Sequence, residues 1–144
     1  ASFVSLGNLV DYPTNFEFVR HVLSMDTIFP DSRLKARALT HPAIHHVAYG
    51  IIITLELAVA AACWWGAVGM FRGRRDAERF RKAREIAAAG YLLAILIFFV
   101  GFMTIGGEWF AMWESPTWNG LDPAFRLTAI ATLFLMLLHV REDT

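Results

Sequence analysis

The stretch Gly106-Gly107-Glu108-Trp109-Phe110-Ala111-Met112-Trp113-Glu114-Ser115-Pro116-Thr117-Trp118-Asn119-Gly120 decides how this sequence is read. It holds three tryptophans and two carboxylates, carries no lysine or arginine, and separates two long apolar runs. An indole has an apolar body and one N–H that seeks a partner, so tryptophan collects where lipid meets water; loops poor in basic residues lie opposite the cytoplasm. The stretch therefore reads as an outward-facing cap at a membrane surface.

Three apolar runs surround it. The one after it, residues 124–140, opens with Asp122 as an expected N-cap and Pro123 at the first helical position, and is at the short end of what can cross a bilayer. The one before it, residues 86–105, ends at Gly106-Gly107, which suit a helix stop. The first, residues 48–71, is interrupted by Glu56 and a few small polar groups, and Pro42 is placed to sit in the first turn of its helix. At ~1.5 Å per residue that run covers roughly 36 Å, enough to cross with tilt. With 56% of its 144 residues hydrophobic, the chain suits a membrane better than water. Small residues form the rows Ala58, Ala62, Gly66 and Gly90, Ala94, which let helix backbones approach closely.

Charge fixes the expected orientation. Formal net charge is +0, which gives no reason to expect nucleic acid as a partner, yet seven of the thirteen basic residues fall between Arg72 and Arg84. A basic loop at 72–85, set directly against two spans, is expected in the cytoplasm. The tryptophan-rich loop at 106–123 and residues 1–47 are then expected in the periplasm, with Arg141-Glu142-Asp143-Thr144 cytoplasmic. Arg20, Arg33, Lys35 and Arg37 run mildly against this and are outweighed by the denser cluster. In the outer segment, Thr14-Asn15-Phe16-Glu17 has capping-box spacing, and Phe16, Val19, Val22 and Leu23 recur at helical spacing. A short amphipathic helix in the outer interface follows, with a second at about 32–39. The chain begins at Ala1, which fits either a cleaved signal peptide or an earlier helix of which residues 1–10 are the remnant.

The segment Asn8-Leu9-Val10-Asp11-Tyr12-Pro13-Thr14-Asn15-Phe16-Glu17-Phe18-Val19-Arg20-His21-Val22-Leu23-Ser24-Met25-Asp26, together with Gly107-Glu108-Trp109-Phe110-Ala111-Met112-Trp113 and Trp118-Asn119-Gly120, resembles a bacterial family of predicted small integral membrane proteins, domain of unknown function 2165. The resemblance implies an all-α, polytopic protein with four membrane helices, three of them in this chain, and it favours a remnant first helix over signal cleavage. It names no reaction.

Glu56 is the residue most in need of explanation, because a carboxylate inside a span costs about 2.5 to 3.5 kcal/mol unless paired, protonated or facing a wet cavity. Arg126, one turn into the third span, is its expected partner, or else a hydrogen-bonded network that includes Tyr49. A polar clamp between helices is the leading reading, ahead of a proton pathway. His41 and His45 are four apart, a spacing that permits shared metal coordination, but no cysteine or carboxylate accompanies them, so no metal is expected. His46 and His139 fall on opposite membrane sides and cannot share a haem, whereas His21 with His45 or His46 remains geometrically open. Aromatic walls with Glu108 and Glu114 have the makings of a quinone pocket, although interfacial belt residues are the commoner explanation. Cys63 reads as a small buried hydrophobe.

No Ser/His/Asp grouping, phosphate-cradling loop, CxxC or HExxH occurs, so no enzyme activity and no cofactor is expected. The expected function is a small accessory subunit packed against a larger complex in the bacterial inner membrane. Its partners would be the lipid bilayer and other integral membrane subunits. Its outer contact surface would comprise Asp11, Tyr12, Asn15, His21, Glu108, Trp109, Trp113 and Trp118. The alternative is a redox, quinone- or haem-binding membrane anchor of an electron-transfer enzyme. A small transporter would need more intramembrane polar residues than Glu56 and Arg126.

Overall fold

In the computed structural model, which describes residues 2–140, the chain starts with two short helices, α1 (Ser2–Val10) and α2 (Tyr12–Ser24), meeting at Asp11. The i→i−4 pattern continues across the junction, with Asp11 N–H donating to Gly7 O and Asn15 N–H to Asp11 O. The expected capping box at Thr14 is therefore not used. Helix already precedes it, and Pro13, which brings no N–H, occupies the first turn of α2 instead. Met25 ends α2 in the left-handed conformation, and a 3-10 turn at Arg33–Arg37 stands where a second short helix was expected. Ser32 caps that turn by accepting from the Leu34 N–H.

Three helices long and apolar enough to cross a membrane follow, as the sequence implies: α3 (Pro42–Arg72), α4 (Ala77–Ile95) with a π-helical continuation (Leu96–Trp109), and α5 (Leu121–His139). Among the described residues there is no strand. The expected cytoplasmic C-terminus, Arg141-Glu142-Asp143-Thr144, lies outside the described residues.

Helix α3 starts six residues before the apolar run because Pro42 takes the first turn and the His41 ring accepts from the Ala43 N–H. A four-residue turn joins it to α4, where Asp76 caps by accepting from the Glu78 and Arg79 N–H groups. Most of the basic cluster thus stands on the first turns of α4 rather than in a loop, with Lys82 paired to Glu78 at 2.8 Å.

The α3/α4 hairpin is held by small residues. A β-carbon on Gly66 would lie 2.6 Å from the Ala87 Cβ, one on Gly69 2.7 Å from the Ala83 Cβ, and one on Gly90 3.0 Å from the Ala62 Cβ. Ala62, Gly66 and Gly90 sit at this seam as the rows suggested, and Ala94 is buried further along against Val59. Ala58 is exposed; Gly69 takes its place in the row.

The helix after α4 does not stop at Gly106-Gly107. It runs to Trp109 in a wide i→i−5 form, marked by Phe110 N–H donating to Ile105 O at 3.0 Å. Both glycines are buried, and a β-carbon on Gly107 would stand 2.7 Å from Leu121 Cδ2, so their smallness lets the start of α5 close in. The chain leaves the helix at Ala111, fully buried with φ of 51°. Asp122 does not cap α5 as expected. The Leu121 N–H is met by the Asn119 side chain, and Asp122, in the first turn, pairs with Arg126.

Helix α1 runs antiparallel to α3, Ser2 beside Trp64 and Asn8 beside Tyr49 and Glu56. Residues 2–8 therefore lie alongside the middle of α3, not above the spans as a wholly periplasmic 1–47 segment would require. The arrangement is a short fourth helix beside three long ones.

Candidate functional site

Two places concentrate polar chemistry: the middle of the helical bundle, around Glu56, and the cap at the end where α2 and the 106–120 stretch meet.

Glu56 is fourteen residues from the start of α3 and sixteen from its end, so at ~1.5 Å per residue it is roughly 20 Å from either terminus. Its side chain is buried, with the residue 4% exposed. Oε2 accepts from the Asn8 amide at 2.6 Å, and the Asn8 backbone carbonyl accepts from the Tyr49 hydroxyl at 3.0 Å. A buried acid is thus given a donor by the neighbouring helix, and the tyrosine fixes the helix that supplies it. The expected Glu56–Arg126 contact is not made. Arg126 is largely exposed and pairs with Asp122, one turn away on its own helix, because a local partner costs less side-chain ordering than a reach across the bundle. The alternative expectation, a network including Tyr49, is the arrangement found, with Asn8 as its unforeseen centre. The available signal was a lone amide within the apolar run Ser2–Val10.

Asn8, Tyr49 and Glu56 border a cavity of about 220 Å³ whose other walls include Phe18, Phe98, Phe102 and Leu127. Asn15 also reaches it, while its amide donates to Asp11 O at 3.0 Å.

Above this lies an aromatic cluster. Tyr12 bonds the His46 ring at 2.9 Å, Phe16 stacks on that ring at 4.2 Å, and Tyr12 meets Tyr49 at 4.7 Å. His45 is buried and its Nε2 meets Leu39 O at 2.6 Å. His41, His45 and His46 are thereby engaged in three separate tasks. Among the described residues no group of three or more His, Cys, Asp or Glu is arranged to hold a metal ion.

The cap is built from both chain regions named in the sequence. Met25, Ile28, Phe110 and Ala111 form a buried core, and Val22, Leu23, Leu34 and Ala38 pack against it. Polar ties cross it: Thr27 and Ser115 hydroxyls meet at 2.8 Å, Ser32 donates to Glu114 Oε1 at 3.2 Å, and Arg37 donates to Trp109 O at 3.2 Å while its guanidinium lies 4.7 Å from the Trp109 ring centroid. His21 bonds Asp26 at 2.8 Å and stacks on Trp118 at 4.6 Å. Glu114 is buried.

Of the proposed contact residues, Asp11, Glu108, Trp109 and Trp113 are exposed, whereas Tyr12, Asn15, His21 and Trp118 are half-buried and help join the cap internally. Phe29, which the sequence did not single out, stands exposed at the edge of the Trp113 ring, centroids 6.0 Å apart.

A search of curated proteins and one of solved structures each found no match. A family model does match: its description is "Predicted small integral membrane protein (DUF2165)", and it spans residues 1–141. Three membrane-length helices and a match over nearly the whole length agree, and the chain belongs to this family of small integral membrane proteins.

Proposed function

We propose that the protein is a small, non-catalytic accessory subunit of a larger complex in the bacterial cytoplasmic membrane, and that its cap is a periplasmic docking face. The observation that carries this reading is the exposed pair Phe29 and Trp113, 54% and 48% exposed, standing on a framework already tied together from within. Two adjoining aromatic rings on a fixed base are the kind of anchor that buried protein contacts favour. The crowding of arginine at the opposite end, on the turn after α3 and the start of α4, supports the periplasmic placement of the cap.

Copurification of the tagged chain from native membranes, after mild crosslinking, tests this. A defined set of membrane proteins should be recovered with the wild type and lost with Phe29→Ser/Trp113→Ser. A lone monomer with no crosslinked neighbour overturns the reading.

A second reading, a quinone-binding anchor for an electron-transfer enzyme, draws support from an apolar cleft of about 530 Å³ between α3 and the π-helical segment, roofed by Phe18 and Leu23 of α2. Quinone extracted with the purified protein in stoichiometric amount supports it, and its absence from extracts of native membranes counts against it.

A further inference from the structure

The cavity at Glu56 combines four properties. It is a partly open space of about 220 Å³ that reaches from Glu56, at the middle of α3, to Gly120 and Pro123 at the start of α5; its walls include the rings of Phe18, Tyr49, Phe98 and Phe102; it contains one carboxyl group; and no lysine, arginine or histidine lines it. Phe102 is the hinge of the aromatic wall, with centroids 5.7 Å from Phe98 and 6.3 Å from Phe18.

A carboxylate so placed is costly unless it is protonated or meets a positive charge, and among the described residues no lysine, arginine or histidine lines its cavity, while Arg126, the expected partner, is committed to Asp122. An inorganic cation is poorly served. It would require several oxygen ligands, yet Asn8 turns its N–H group toward Glu56 and its backbone oxygen already accepts from Tyr49. An alkylated ammonium group asks for less, because it carries its charge without needing to be hydrogen-bonded and is attracted to aromatic faces.

A further cavity adjoins this one. It has a volume of about 420 Å³, runs along α1 and α5 past Trp64 and Phe134, and shares Val4, Phe98 and Leu127 with the first. Its walls are mostly apolar, which suits a lipophilic ligand.

We propose that the Glu56 cavity is a binding site for a small lipophilic organic cation of the quaternary-ammonium class. Glu56 supplies the counter-charge, Asn8 holds the carboxylate in place, and the four rings receive the alkylated nitrogen. The site shares Phe18 and Gly120 with the cap but not the Phe29 and Trp113 pair, so loss of cation binding in Glu56→Gln and loss of docking in Phe29→Ser/Trp113→Ser are read separately.

The test uses the full chain in nanodiscs of phosphatidylethanolamine and phosphatidylglycerol, lipids that carry no quaternary ammonium group. Equilibrium dialysis with radiolabelled benzyltrimethylammonium, corrected with empty discs, should show one saturable site per chain. Glu56→Gln should weaken it at least tenfold. Neopentylbenzene, the neutral isostere with carbon in place of nitrogen, should fail to displace it from the wild type. This last measurement needs no variant and holds even if Glu56→Gln does not fold. Absence of saturable binding above empty discs, undiminished binding by a folded Glu56→Gln, or displacement by the neutral isostere overturns the proposal.

Discussion

Gly66 of α3 and Ala87 of α4 meet so closely that a β-carbon on the glycine would stand 2.7 Å from the Ala87 backbone nitrogen as well as 2.6 Å from its Cβ. A backbone atom cannot turn aside as a side chain can, so Gly66→Ala must push the two helices apart. The expected cost is about 1 to 3 kcal/mol, the range for overpacking a well-fitted contact. Gly50→Ala on the same helix is the control, since nothing lies within 4 Å of its added carbon and removal of a helical glycine is neutral to stabilising. Unfolding in detergent, followed by helical circular dichroism, should separate the two variants. Equal stability would mean that the seam does not govern the hairpin.

The bond from Asn8 to Glu56 supports a second prediction. Asn8→Leu removes the donor and leaves a buried acid unmet, at an expected cost of about 1 to 3 kcal/mol. Replacing both residues, Asn8→Leu with Glu56→Leu, removes the polar group together with its need for a partner and should recover most of that loss. A double variant no more stable than the single one would show that Asn8 does not serve the carboxyl. The same unfolding measurement decides.

What the sequence made legible, and what it hid, divides along physical lines. Apolar runs report spans directly because bilayer thickness sets their length, so all three spans were readable, although α3 starts six residues and α4 nine residues before the apolar runs, where polar turns extend the helices. The joining of residues 8–26 to the tryptophan-rich stretch was readable as two aromatic, interfacial segments on one side. Glu56 stood out because charge inside a span is costly, but its partner did not. Arg126 has the right sign and depth, but Asp122, four residues before it, captures it locally. Asn8 belonged to a segment read only as a remnant, with no periodicity long enough to show that it lies against α3. Gly106 and Gly107 misled for a related reason. A glycine pair marks a helix end by backbone freedom or a close contact by its missing side chain, and only the approach of Leu121 tells which.

The cap should respond to acid through Glu17. Its carboxylate accepts from Arg20 Nε and Nη2 at 2.8 and 2.6 Å, and that bond holds the Glu17 carboxyl below its ordinary range while raising the Arg20 guanidinium above its own. An acid depressed in the folded state contributes stability that is fully present above its unfolded value and is lost as pH falls through its folded value. Wild type and Glu17→Gln should therefore differ at neutral pH and converge in the acidic range. The pair is open to solvent, so high salt should shrink the neutral-pH difference. Unfolding midpoints of both proteins across pH and salt give the check, and a difference that grows on acidification would contradict the sign.

Thr27 and Ser115, eighty-eight residues apart in sequence with their hydroxyls 2.8 Å apart, offer a direct probe of the cap. In a Cys63→Ser background, Thr27→Cys with Ser115→Cys should place two thiols within bonding reach, whereas Thr27→Cys with Thr117→Cys moves one partner to an exposed neighbouring position. Oxidation of intact cells followed by non-reducing electrophoresis should convert most of the first pair to a faster-migrating band and little of the second. Because disulfides form readily in the periplasm and are reduced in the cytoplasm, the same experiment reads orientation. The first pair should oxidise during growth without added reagent if the cap is periplasmic. Oxidation only after lysis would keep the contact and reverse the proposed orientation, and no crosslink under either condition would remove the cap itself.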